Sequence, residues 1–154
     1  MMWTQKEASL LNDLKSQEQI CVEKYGEYAQ RANDPELKNI FGSIRDNEQQ
    51  HLQTITDMLN GQMPQPKQGQ QQQQKPSDNP PPQGNAVHSP QWQEDNYLCL
   101  DALSTEKHVS NTYDVAIFEF RAPAARDALY EIQGAEQRHG EQIYAYMAQN
   151  GMQA

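Results

Sequence analysis

The sequence repeats itself, and that repeat limits the folds open to it. Shifting the chain by 88 residues lays one half on the other without a gap. Leu10 meets Leu98, Asp13 meets Asp101, Ser16 meets Ser104, Glu18 meets Glu106 and Tyr25 meets Tyr113. Pro35 then falls on Pro123, Ile44 on Ile132, Glu48-Gln49 on Glu136-Gln137, His51 on His139 and Ile55 on Ile143. These are eleven identities in forty-six positions, where unrelated pairings give roughly one in sixteen at average residue usage. Two units of one kind, neither able to bury its apolar face alone, must pack on each other.

Each unit reads as a pair of helices. From Glu7 to Arg31 the residues Leu10, Leu11, Leu14, Cys21, Tyr25 and Tyr28 recur at spacings of three, four and seven, one face of a helix. Asn33-Asp34-Pro35-Glu36 is a stop and restart, with Asp34 as N-cap and Pro35 at the first helical position. The pattern resumes through Leu37, Phe41, Ile44, Leu52, Ile55 and Leu59. The expected helices cover about 5–32, 35–60, 91–121 and 123–150 of a single domain, 1–154. No stretch alternates with period two over a useful length, so the chain is all-α. The predicted architecture is a four-helix bundle of two repeated hairpins joined by a long Gln/Pro-rich crossover.

That crossover, 61–90, contains seven of the nine prolines, the run Gln70 to Gln74 and Pro80-Pro81-Pro82. It cannot bury enough apolar surface to offset the entropy of ordering, and it reads as a flexible, extended connector. A second reading makes it a sticky or cross-linkable segment of a larger assembly.

A length of 154 residues suffices for one core. The net charge of -9 argues against a nucleic-acid partner, which needs a basic face, and suits a protein that binds cations. No apolar run approaches the ~20 residues of a membrane span. The opening Met1-Met2-Trp3-Thr4-Gln5-Lys6-Glu7 has no apolar stretch behind a basic start, so no signal peptide is expected and synthesis is assigned to the cytoplasm. Cys21 and Cys99 are too few and too far apart for a disulfide framework.

The chemistry lies in a constellation written twice: Glu, Tyr seven residues on, and Glu-x-x-His thirty residues after the first Glu. Positions three and seven apart share a helix face. Glu48 with His51, and Glu136 with His139, therefore project together; Glu18 shares the inward stripe of Cys21 and Tyr25, and Glu106 that of Val109 and Tyr113. If the hairpins pack face to face, four carboxylates and two imidazoles converge. Ionised acids are strongly disfavoured in an apolar interior without partners. Two divalent cations balance four carboxylates with both histidines neutral, and carboxylate with imidazole suits iron or manganese, with zinc as an alternative. This is the ligand pattern of di-iron and di-manganese bundles. A lone Glu-x-x-His is more simply an exposed acid–imidazole pair; the repetition at one shift sets these two apart. A duplicated scaffold whose site is no longer loaded is the remaining alternative.

Other side chains have plainer readings. His88 belongs to the connector and is expected in solvent; His108, two residues past Glu106, points to the surface. Met58 and Met147 are core residues, and Cys21 is a small buried residue rather than a nucleophile. Tyr25 and Tyr113 are either core aromatics or phenols that orient a ligand carboxylate.

Glu18-x-x-Cys21-x-x-x-Tyr25 followed by Glu48-x-x-His51, repeated in the second half, resembles the ferritin, bacterioferritin and rubrerythrin superfamily. The resemblance implies a di-iron site reacting with oxygen or peroxide, with Glu18, Glu48, His51, Glu106, Glu136 and His139 as ligands. The second half resembles the narrower spore coat protein F-like family, in Leu103-Ser104-Thr105-Glu106-Lys107-His108 to Tyr113, Arg126 to Leu129, Glu136-Gln137-x-His139 and Tyr146-Met147-Ala148-Gln149-Asn150-Gly151. That likeness implies a location in the spore coat and other coat proteins as partners, and the Gln/Pro-rich connector suits a coat component. The family's aromatic ending is replaced here by Met152-Gln153-Ala154. With no Cys-x-x-Cys pair the chain departs from complete rubrerythrins. Leu52 stands where bacterioferritin has its haem-ligand Met, so no haem is expected. A fifth helix is absent before Ala154, which argues against a storage shell, and a homodimer of bundles is a further expectation.

Overall fold

The computed structural model describes residues 3–64 and 88–153; most of the expected connector, 61–90, lies outside them. Four helices make up the described residues: α1 (Gln5–Arg31), α2 (Pro35–Leu59), α3 (Pro90–Ile117) and α4 (Pro123–Gln149), with no strand among them. The all-α, four-helix reading holds.

Local chemistry sets the helix ends. Thr4 and Glu7 form a reciprocal capping box at the start of α1. Asp34 accepts from the Glu36 N–H and Pro35 opens α2, as the sequence predicts. Ser89 and Pro90 do the same for α3, one residue earlier than expected. Gly61 and Gly151 follow α2 and α4 with φ of 84° and 70°, a conformation glycine adopts without strain. The third helix differs at its other end, closing at Ile117 rather than near 121. A tight turn there leaves Phe118 in solvent and turns Phe120 inward, where it meets the Trp3 ring edge-on at 5.7 Å. Burial of Phe120 outweighs continuation of the helix.

Within each hairpin a short turn makes the helices antiparallel, α1 on α2 and α3 on α4. The hairpins then meet through α1 with α3 and α2 with α4. The α1–α3 register is antiparallel, because Gln17 bonds Thr112, Lys24 bonds Thr105 and Tyr28 bonds Asp101 as one index rises and the other falls. Consequently α2 runs parallel to α3. The end of α2 lies near Trp3, whose Nε1 donates to the Met58 carbonyl, whereas the start of α3 lies by the α1–α2 turn at Asn33. Those two points are separated by the length of the bundle, about 37 Å for a helix of this size. The core runs between them: Leu11, Leu14, Leu37, Phe41, Ile44, Ile55, Leu98, Leu129 and Ile143 are buried, as are Met58 and Met147.

Two buried acids tie the hairpins together at opposite ends, and they too obey the repeat. Asp95 accepts the backbone N–H groups of Asn33 and Asp34 at 2.8 and 3.0 Å, closing the α1–α2 turn. Glu7, 88 residues earlier, accepts from the Arg121 N–H at 3.3 Å in the α3–α4 turn. Asp95 is fully enclosed, so Asp95→Ala strands two buried donors. It is expected to cost about 2–4 kcal/mol in denaturant unfolding, whereas Asp95→Asn, which keeps one acceptor oxygen, is expected to cost about half as much.

Candidate metal centre

The α1 stripe carries Glu18 inward and the α3 stripe carries Glu106; α2 presents Glu48 and His51, and α4 presents Glu136 and His139. All six lie in the interior, with Glu18, Glu48 and Glu136 at 0% exposure. They form two overlapping groups, Glu18–Glu48–His51–Glu136 and Glu48–Glu106–Glu136–His139, each offering donor atoms within 4.8 Å of one another. Glu48 and Glu136 belong to both groups. The structure thus brings together all six residues singled out in the sequence, with the shared pair common to both groups.

Each imidazole leans on the shared carboxylate of the opposite hairpin. His51 Nδ1 lies 3.0 Å from Glu136 Oε1, and His139 Nδ1 lies 3.0 Å from Glu48 Oε1. The rings stack at 6.1 Å between centroids. The two contacts differ in angle. The first is aligned as a hydrogen bond, while His139 Nδ1 and both oxygens of Glu48 have no aligned partner. Glu18 Oε2, Glu106 Oε2 and Glu136 Oε2 are also buried without a hydrogen bond. Five orphaned carboxylate oxygens in one small volume are what a cation-binding set requires, since buried polar atoms otherwise find partners. The donor set, oxygen-rich with two imidazoles, fits divalent iron, manganese or zinc.

Tyr25 and Tyr113 are both core residues and hydrogen-bond donors. Each phenol is buried and donates across the hairpin boundary: Tyr25 Oη to Glu106 Oε1 at 2.5 Å, Tyr113 Oη to Glu18 Oε1 at 2.6 Å. One oxygen of each end carboxylate is thereby held, and the other is buried without a hydrogen bond. Burial, followed by the facing carboxylate, pushes both phenols well above their ordinary range, so they remain donors. Cys21 is buried and free; burial and then the surrounding acids push its thiol far up, consistent with a packing role. His108 is exposed. His88, also exposed, packs its ring edge on Trp92 at 4.9 Å.

The acids shape one another's protonation. Burial, then the adjacent Glu48, pushes Glu18 up to about 10. Burial and then Glu106 hold Glu136 well above the usual carboxylate range. Burial also opposes ionisation of Glu48, but the close approach of Glu18, His139 and His51 outweighs it and lowers that carboxyl. For the two imidazoles burial favours the neutral ring, yet Glu48 beside His51, and Glu106 with Glu136 beside His139, outweigh it and raise both. Without cations, the cluster neutralises itself with protons.

The comparisons bear on part of the chain. Residues 94–154, which take in most of α3 and all of α4, match the model of the Coat F domain. That match covers less than half of the chain and agrees with the resemblance noted in the second half. No curated protein matches the chain, and no solved structure does. No helix among the described residues is long and apolar enough to cross a membrane.

Some residues that frame the site escaped sequence reasoning. Glu7 and Asp95 are acids recurring at the shift of 88, a signal outside the ligand pattern. Asp34 was read as a cap, but its second oxygen also accepts from Tyr146 Oη at 2.6 Å, and no repeat partner signals this because Ala122 and Met58 replace the pair. Gln133, buried and bonded to the Ser110 carbonyl, had no pattern at all.

Raised carboxyl and imidazole groups stabilise the fold below their unfolded values and lose that contribution as pH rises through the folded ones. Glu18, shifted from 4.5 to about 10, sets the widest window. The melting temperature of metal-free protein is therefore expected to fall steadily from about pH 5 to about pH 9. Glu18→Gln should flatten that slope. A profile level over this range would contradict proton sharing in the cluster.

Proposed function

We propose that this protein is a ferritin-like dimetal-carboxylate protein, related to spore coat proteins, whose centre holds two iron ions and acts on oxygen or peroxide. Manganese or zinc are the alternative occupants. The reading is carried by the five unpaired carboxylate oxygens buried among two histidines. Glu18 with His51 would hold one ion and Glu106 with His139 the other, while Glu48 and Glu136 would be shared. A bound iron pair supplies the electrons for reduction of oxygen or peroxide.

The chain's own residues supply the rest. The four carboxylates set a charge of minus four against two divalent cations, which requires Glu18 and Glu136 to release their protons on loading. His51 and His139 must likewise be neutral to offer a lone pair. Tyr25 and Tyr113 restrain Glu106 and Glu18 by donating to one oxygen of each.

Purification without chelator followed by metal analysis tests the reading. Two equivalents of iron or manganese per chain are expected. Glu48→Ala and Glu136→Ala should lose both ions, since each borders both groups, whereas Glu18→Ala and Glu106→Ala should lose one. Tyr25→Phe and Tyr113→Phe should keep the stoichiometry and weaken affinity about 10- to 100-fold. Metal-free protein whose melting temperature is unmoved by Fe(II) would overturn it.

The Coat F match supports a second reading, a coat component that reuses the bundle as structure. In that case Glu48→Gln with Glu136→Gln leaves incorporation into spore coats intact, which tagged protein in coat extracts would reveal. Removal of 62–90 does not serve as the test, because α2 ends and α3 begins at opposite ends of the bundle.

A further inference from the structure

One side of the centre borders a groove. A groove of about 610 Å³ opens along the α3–α4 hairpin, and its lining includes Glu106 and Glu136 together with Leu103, Ser110, Gln133 and Gly140. Gly140 lies over the stem of Glu106: a Cβ there would come within 4.0 Å of Glu106 Cβ and of Leu103 Cδ2. Those are ordinary contact distances, so packing does not demand a glycine. Nor does the helix, where glycine is among the least favoured residues. In the 88-residue repeat the matching position is Leu52, half-buried, and Leu103 matches Lys15.

Exposure is low throughout the centre. Glu106 retains 3% of its surface and Glu18 none. The histidines differ little, with side chains 10% exposed for His51 and 9% for His139, so the difference sits on the carboxylate side. It coincides with a bare helix position in one hairpin and a branched aliphatic side chain in the other.

We infer that Gly140 is the gate of the centre: small ligands and exchanging ions reach it through the α3–α4 groove, at the Glu106–His139 position, while Leu52 closes the matching path over α1–α2. This rests on the dimetal reading. It assigns two roles to one duplicated motif, a Glu106–His139 end open to exogenous ligand and a Glu18–His51 end closed to it.

Metal exchange tests the gate without any assay of turnover. Protein loaded with Co(II) is mixed with excess pyridine-2,6-dicarboxylate, and loss of the cobalt absorption is followed in time. Gly140→Leu is expected to retain two Co(II) and to slow extraction about tenfold. Gly140→Ala, whose methyl the contact distances accommodate, should slow it less and raise the melting temperature, which keeps the comparison sound if leucine proves too large. Leu52→Ala should speed extraction by opening the second path. Azide added to the cobalt protein should perturb the spectrum of the wild type and not that of Gly140→Leu. Two bound Co(II) with equal extraction rates in wild type and both Gly140 variants would overturn the gate and leave the dimetal reading standing. An unchanged rate in Leu52→Ala would overturn the assignment of Leu52 as the matching closure. Failure of the wild type to bind Co(II) would overturn the dimetal reading and the gate with it.

Discussion

Four carboxylates enclosed between two hairpins must be neutralised, and much of the molecule is arranged around that requirement. A buried ionised acid without a partner is costly by several kcal/mol even after relaxation of its surroundings. Here the acids come one from each helix, and each imidazole faces the shared carboxylate of the other hairpin at 3.0 Å. The hairpins are therefore coupled by charge as well as by apolar packing. Protons or divalent cations can both meet the requirement, and exchange of one for the other links stability, pH and metal in a single equilibrium.

The repeat explains how so polar a centre can be built from a small chain. Every device that positions the six residues occurs twice with its partners exchanged: Tyr25 on Glu106 and Tyr113 on Glu18, Glu7 on one inter-helix turn and Asp95 on the other. A single hairpin presents half of each device and completes none. Departures from the symmetry include the centre itself, where His51 and Glu136 are aligned as a hydrogen bond and His139 and Glu48 are not. Tyr146 with Asp34 has no counterpart, and half-buried Gly140 stands at the position that matches half-buried Leu52.

The sequence revealed the helices and the six convergent residues because helical spacing and the 88-residue shift are local or periodic signals. Asp34-Pro35 marked a helix start directly. The end of α3 was less legible, because Phe118 and Phe120 are equally apolar and only the tertiary contact with Trp3 decides which one is buried. The roles of Tyr25 and Tyr113 were half legible: their spacing placed them inward, but the reach into the opposite hairpin depends on the α1–α3 register. The groove at Gly140 was not legible, since a mid-helix glycine in a sequence says nothing about what lies beneath it. Likeness to the Coat F domain was visible in the second half alone, and the family match falls on the same helices.

The most direct measurement is anomalous scattering from crystals of protein loaded with Fe(II), collected on either side of the iron edge. Two peaks are expected inside the bundle, one flanked by Glu18 and His51 and the other by Glu106 and His139, with Glu48 and Glu136 between them. A map without peaks there, with the six side chains bonded only to one another or to water, would contradict the dimetal centre and leave a duplicated helical scaffold neutralised by protons.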